Sequence, residues 1–220
     1  MPIIAVASPK GGSGKSTTSV ILGTELAHAG AEVALLDCDP NRSITLWAGR
    51  GKLPARMTVL SDVGESEIVR AIRQQDADGR VVVVDLEGVA SRLVSRAISQ
   101  ADLVLTPMRA TTLDATIGVR ALALIAEEEE ALRRSIRHAV VFSMTRAIKS
   151  KQHTAIEASL IGQGVDVIEP PLMERAAFSA LFEFGGDLRS IPPQGRMEGA
   201  VENAAAFAQQ VYKRLVETTR

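Results

Sequence analysis

The chain has 220 residues, 46% hydrophobic and 23% charged, and its 25 Lys and Arg against 26 Asp and Glu leave a formal net charge of −1. No stretch of 18 apolar residues and no secretory signal is present, which predicts a soluble, cytoplasmic protein without membrane attachment. One cysteine, Cys38, excludes a disulfide within the chain, and a near-neutral surface leaves nucleic-acid binding to a local basic patch with steep salt dependence.

The first predicted strand is Ile3-Ile4-Ala5-Val6-Ala7. It runs into Pro9-Lys10-Gly11-Gly12-Ser13-Gly14-Lys15-Ser16-Thr17, and a helix follows over 15–29 up to the Gly30 stop. A strand, a glycine-rich turn and a helix N-terminus together place backbone N–H groups and the positive end of a helix dipole around one point, which suits a polyphosphate. Gly11, Gly12 and Gly14 admit backbone conformations and close approaches that a Cβ blocks. In such a loop Lys15 reaches the β- and γ-phosphates, the Ser16 hydroxyl ligates Mg²⁺, and Thr17 is available to the α-phosphate. Pro9 stands where the usual first glycine would be, and Lys10 adds a second cation.

Residues 32–37 form the next predicted strand, ending in Asp37-Cys38-Asp39-Pro40-Asn41. Two carboxylates at a strand's C-terminal end lie where ligands bind in open α/β sheets. Loop solvation, or capping of a helix from Ser43 onward, is the alternative. Short segments at 58–60 (strand) and 65–77 (helix) precede Arg80-Val81-Val82-Val83-Val84-Asp85, four valines and an acid, the form in which a strand-end carboxylate holds Mg²⁺ through its water shell. Strands that are apolar throughout require a parallel sheet covered on both faces. The fold class is therefore α/β, a mostly parallel twisted sheet with helices on both sides.

Further along the chain, a helix is predicted at 91–100, a strand at 102–107 closed by Pro107, and a helix from Leu113 to Arg134. That helix has Ile117, Ala121, Leu124 and Ile125 on its apolar side and Glu127 to Glu130 on a solvated one. A strand at 139–143, a helix at 152–162, a short strand at 165–168 and a last helix at about 199–218 complete the pattern. No linker or repeat interrupts it, so residues 1–220 read as a single domain. Cys38 is expected to pack in its strand, and His28, His138 and His153 are too scattered for a transition-metal site.

The loop x-Lys-Gly-Gly-x-Gly-Lys-Ser/Thr resembles that of the ParA/MinD family of deviant Walker-A ATPases, with Lys10 as its signature lysine. Phe142-Ser143-Met144-Thr145-Arg146 and Leu172-Met173-Glu174-Arg175-Ala176-Ala177-Phe178 look like the corresponding segments of small, ParF-like plasmid partition ATPases. The resemblance implies a P-loop ATPase using ATP and Mg²⁺, with Gly11, Gly12, Ser13, Gly14, Lys15, Ser16 and Thr17 on the nucleotide. It also implies Ser16, Asp37 and Asp85 at or near the metal, Asp39 orienting the attacking water, and Arg146 as a candidate for the base. Two ATP-bound copies would form a homodimer in which Lys10 reaches the partner's phosphates. Such a dimer binds DNA nonspecifically at the nucleoid and is released when a ParB-like adaptor or another partner stimulates hydrolysis. Lys149, Lys151, Arg175, Arg189, Lys213, Arg214 and Arg220 are the candidate DNA contacts. With only two residues ahead of the first predicted strand, no operator-reading domain and no site-specific DNA reading are expected. Bridging cysteines of metal-cluster carriers are lacking, and the alanine-rich last helix differs from a membrane-targeting one. Leu86-Glu87-Gly88 departs from the family's neutral stretch. A MinD-like or conjugation-related positioning ATPase is the alternative, and a small-molecule P-loop synthetase or kinase is a third.

Overall fold

The computed structural model describes residues 1–88 and 91–216, with the side chains of residues 117 and 119–121 left out. Strands β1 (Ile3–Val6), β2 (Val33–Cys38), β3 (Met57–Leu60), β4 (Val81–Leu86), β5 (Leu103–Met108), β6 (His138–Phe142) and β7 (Val167–Ile168) alternate with helices. These are α1 (Lys15–His28), α2 (Ser43–Ala48), α3 (Ile68–Ala77), α4 (Arg92–Gln100), α5 (Thr112–Leu132), α6 (Lys151–Gly162), α7 (Ala176–Phe184) and α8 (Met197–Val216). The strands join one sheet in the order β3-β2-β4-β1-β5-β6-β7, and every pairing is parallel.

Burial explains why these residues make strands. All six residues of β2, of β4 and of β5 are buried, so the sheet needs apolar cover on both sides. One side supplies Ile4, Val6, Leu35, Val83 and Leu105, packed on α1, α2, α7 and α8 through Ile21, Trp47, Phe178 and Phe207. The other supplies Ala5, Leu36, Val82, Val84 and Val104 under α3 and α4, with Ile68, Ile72, Val94 and Ile98 facing them. A third apolar group, Met108, Val140, Phe142 and Leu160, seats α6 on β6.

Side-chain caps fix three helix starts. Ser91 Oγ accepts from Val94 N, Thr111 Oγ1 from Asp114 N and Ser150 Oγ from His153 N. The predicted strands and long helices fall within a few residues of their places. The predicted helix 65–77 begins at Ile68, after a turn. α7 is a helix for which the sequence pattern predicts no element: it carries Ala177, Phe178, Ala180 and Leu181 into the core. Glu129 is more than a solvated face residue, because its Oε1 accepts from Ile136 N at 2.7 Å and ties the end of α5 to the approach to β6. Leu124 and Ile125 of the predicted apolar side pack inward, whereas the side chains of Ile117 and Ala121 lie outside the described residues. In α8, Ala204, Ala208, Val211 and Leu215 are buried and Tyr212 is exposed. Arg220 also lies outside the described residues.

A candidate nucleotide site at the carboxyl edge of the sheet

β1 delivers the chain at the centre of the sheet's carboxyl edge, and residues 7–14 turn back into α1. Gly14 is the N-cap of α1 with φ 90°, and no side chain caps the helix. That backbone conformation disfavours any residue with a Cβ. A Cβ there would also stand 3.1 Å from Ser143 Cβ, so glycine lets β6 approach the loop. The first N–H groups of α1 are left to meet a ligand.

Within the loop, Lys15 is buried and, among the described residues, its Nζ hydrogen-bonds only the Lys10 carbonyl, at 3.3 Å. The hydroxyls of Ser13 and Thr18 are buried without a hydrogen-bond partner among the described residues. A buried ammonium with one long contact and two unsatisfied hydroxyls leave strong donors to be matched, and phosphate oxygens match them. The turn after β4 lies over the same loop. A Cβ at Gly88 would stand 3.2 Å from Lys15 Nζ and 3.3 Å from Gly11 N.

Hard oxygen donors sit beside Lys15. Ser16 Oγ donates to Asp85 Oδ2 at 2.7 Å, and Ser19 Oγ donates to Asp85 Oδ1 at 2.9 Å. Burial pushes the Asp85 carboxyl up to about 7; the two serine hydroxyls oppose that rise, and the negative charge of Asp37 adds to it. A hydroxyl and a carboxylate at hydrogen-bond distance suit Mg²⁺, which takes few protein oxygens and keeps several waters. Asp37 is paired in register with Asp85, yet its Oδ2 accepts from Thr45 N and Thr45 Oγ1, both at 2.7 Å. Oδ2 is thus committed to α2, whereas Oδ1 accepts only a long contact from Asp39 N, at 3.4 Å, among the described residues. Asp39, half-buried at the mouth, accepts from Asn41 N at 2.9 Å and Asn41 Nδ2 at 2.8 Å. Cys38 is buried, and desolvation pushes its thiol far above the ordinary range, with Asp37, Asp85 and Glu87 adding to the effect.

Lys10 stands at the mouth, 31% exposed. Its Nζ donates to Asp114 Oδ1 at 2.8 Å, and Asp114 is also held by the hydroxyl of Thr111. Sequence reasoning missed Asp114. It is an acid in the first turn of α5, 104 residues from Lys10, and only the fold brings it to the loop.

A cleft beside Gly14 and Thr17 is lined by Ser143, Met173, Arg175 and Phe178. Its position next to the helix N-terminus fits a base. Arg146 is exposed and is not among the residues lining this cleft. Arg175 is there instead, its Nε buried without a partner among the described residues and its Nη2 3.4 Å from Met173 Sδ. Several proposed DNA-contacting cations also have inward duties: Lys149 bonds Glu157 and Glu169, Arg189 forms a bidentate pair with Glu25, and Arg214 pairs with Asp166.

This loop, the Ser16–Asp85 pair and the parallel sheet with β1 at its centre define a P-loop nucleotide-binding protein of the ParA/MinD class. The comparisons narrow the class. The family described as VirC1 protein matches residues 1–189. A protein from Rhizobium radiobacter named Protein ParA is 64% identical over 222 residues, covering all of both chains. The chromosome partitioning protein ParA of Caulobacter vibrioides is 40% identical over 96 residues, 41% of this chain and 36% of that protein. A structure of a Cyanothece McdA variant in complex with ATP superposes with a TM-score of 0.78 at 17% identity, covering 99% of this chain and 96% of that one. The chain belongs to the VirC1 family of ParA-like ATPases, and it is a ParA-type partition ATPase. Among the described residues no helix is long and apolar enough to cross a membrane.

Proposed function

We propose that this protein hydrolyses ATP with Mg²⁺ and that ATP drives two copies into a dimer that binds DNA without sequence preference. A partner protein of the ParB-like adaptor type then stimulates hydrolysis and release. The observation that carries the reading is the division of labour between two lysines of one loop. Lys15 is buried beside the unsatisfied hydroxyls, whereas Lys10 holds its ammonium at the open mouth.

The residues present fit both groups. The N–H groups at the start of α1, the Ser13 hydroxyl and the Lys15 ammonium would hold the phosphates, and Thr17 borders the cleft next to them. Ser16 and Asp85 would hold Mg²⁺, which when bound neutralises charge on the phosphate oxygens. Asp39 would accept a hydrogen bond from the attacking water, and Lys10 of the opposite copy would offset charge that develops as the bond breaks. Asp37 keeps α2 in place through Thr45 and so fixes the segment that carries Asp39. The cleft at Arg175 would take the base. We place the protein at the nucleoid, in the cytoplasm.

The test is DNA binding by the purified protein with ATP, ADP or no nucleotide at two salt concentrations, with its sedimentation state measured in parallel. The expected result is an ATP-dependent dimer that binds random duplex and releases it as salt rises. ATP binding without dimerisation or DNA affinity would overturn the reading in favour of a small-molecule P-loop enzyme.

A further inference from the structure

The chain after β7 reaches the base cleft as an extended segment with one open side. Residues 171–174 run beside the extension of β6, where Met173 stands opposite Thr145 in a parallel bridge. Leu172 N donates to the Phe142 carbonyl at 2.9 Å, Glu174 N donates to the Thr145 carbonyl at 2.8 Å, and the Leu172 carbonyl accepts from Thr145 N at 3.2 Å. Backbone groups alternate sides along an extended chain, so the Pro171 carbonyl and the Met173 N–H face away from β6 and need partners of their own. Among the described residues the sheet ends at β7, and no further strand supplies them. The buried side chain of Asn203, in α8, serves both groups. Met173 N donates to its Oδ1 at 3.0 Å, and its Nδ2 donates to the Pro171 carbonyl at 2.8 Å. A carboxamide carries the acceptor and the donor of a peptide unit, so this one side chain stands in for the missing strand.

Gly199 lies one turn earlier on the same face of α8. A Cβ there would stand 3.2 Å from Arg175 Nη1 and 3.5 Å from Nη2, so the guanidinium rests against the helix at a point where no side chain intervenes. The same guanidinium has Nη2 3.4 Å from Met173 Sδ, and its buried Nε keeps a hydrogen without a partner among the described residues. Met173, Glu174 and Arg175 all line the cleft beside Gly14 and Thr17, whereas neither Gly199 nor Asn203 does. A guanidinium offers N–H donors and a flat cationic face, which match the ring nitrogens and the π-face of a purine.

We propose that Asn203 and Gly199 of α8 are positioning residues for the base of the nucleotide: Asn203 fixes the segment 171–174, and Gly199 admits the Arg175 guanidinium. The inference rests on the reading of this cleft as the base site and adds the residues that build its wall. Both act through Met173 and Arg175 rather than by touching the nucleotide. The contacts within the phosphate loop, Ser16 with Asp85 and Lys15 with the Lys10 carbonyl, involve no residue of α8. A change on this face of α8 should therefore weaken the grip on the base and leave the grip on the phosphates intact.

The test compares two ligands. With Mg²⁺ present, affinity for ATP is measured against affinity for inorganic triphosphate, which offers phosphates without a base, in the wild type, Gly199→Ala and Asn203→Leu. Melting temperatures without ligand are taken alongside. Alanine favours a helix over glycine, so Gly199→Ala should melt no lower than the wild type. Asn203→Leu nearly keeps the volume but leaves two buried backbone groups unpaired, and it should melt lower. Each variant is expected to bind ATP about tenfold more weakly and triphosphate within about twofold of the wild type. A loss shared equally by the two ligands, or an unchanged ATP affinity in a folded variant, would overturn the positioning role of that residue. A wild type that binds ATP no more tightly than triphosphate would overturn the base cleft itself. If Asn203→Leu does not fold, hydrogen exchange at the Met173 amide of the wild type decides for Asn203. ATP should slow that exchange and triphosphate should not, and equal exchange with both would overturn the role.

Discussion

Asp114 shows how one residue can hold a functional side chain and contribute stability at once. It is nearly fully buried, and burial alone would raise its pKa. The hydrogen bonds from Lys10 and Thr111, with the charges of Lys10 and Arg109, outweigh that and hold the carboxyl below its usual range. A folded-state pKa depressed below the unfolded value of 3.8 gives stabilisation that is complete above that pH and is lost as pH falls through the lower folded value. Asp114→Asn leaves the Thr111 cap on its backbone N–H but removes the charge facing Lys10. We expect it to cost about 1–3 kcal/mol at neutral pH and to flatten the acid limb of the stability curve below about pH 4. Urea titrations at pH 7 and pH 3 check this, and equal acid sensitivity in the variant would show that the pair contributes nothing. The phosphate-loop residues were legible in the sequence because each acts within one short run, Pro9 to Thr17. Asp114 was not, because its role depends on a contact formed between segments far apart in the chain. Arg146, which the resemblance offers as a candidate for the base, is exposed and lies outside the cleft beside Gly14.

At the scale of elements, α6 makes the point that a helix can be placed by one buried ring. His153 lies in its first turn, buried, with its ring 4.6 Å from that of Phe142 and its Nε2 without a partner among the described residues. Burial depresses its pKa; the charge of Glu157 opposes the shift and that of Lys149 adds to it. The unfolded chain therefore takes a proton near the ordinary value of 6.5 while the folded chain stays neutral, so stability falls as pH drops below about 6.5. His153→Phe should remove that loss, leaving a melting temperature that changes less between pH 7 and pH 5 than in the wild type. Parallel thermal melts at the two values decide it, and an unchanged pH dependence would place the titrating group elsewhere. The elements themselves were largely legible because a sheet buried on both faces writes continuous apolar runs. α7 escaped because it follows Pro170-Pro171 in a segment whose resemblance suggested a loop, although Ala177, Phe178, Ala180 and Leu181 have the spacing of a buried helical face. For the surface cations the sequence shows only that Lys149, Arg189 and Arg214 are basic, and the fold adds the acids they pair with.

For the whole molecule, the position of β1 matters most, because a ligand held at the central strand's loop touches parts drawn from both halves of the sheet. Gly14 meets Ser143 of the β6 end, Ser16 meets Asp85 of β4, and Lys10 meets Asp114 of α5. Nucleotide binding should therefore stabilise the fold as a unit rather than one loop. A ligand that binds only the folded chain contributes about 2.7 kcal/mol at a hundred times its dissociation constant. For a chain of this length that corresponds to a rise in melting temperature of roughly 5–10 °C. Trp47 is the chain's single tryptophan, fully buried, and donates from Nε1 to the Gly186 carbonyl at 3.0 Å. Its fluorescence reports loss of the packing between α2 and α7, far in sequence from the phosphate loop. Mg²⁺ and ATP should delay that loss in the wild type and leave Lys15→Ala unmoved, since the variant lacks the buried ammonium facing the phosphates. A wild type whose Trp47 transition ignores ATP would contradict the nucleotide site, whereas an equal shift in Lys15→Ala would keep the site and remove Lys15 from it.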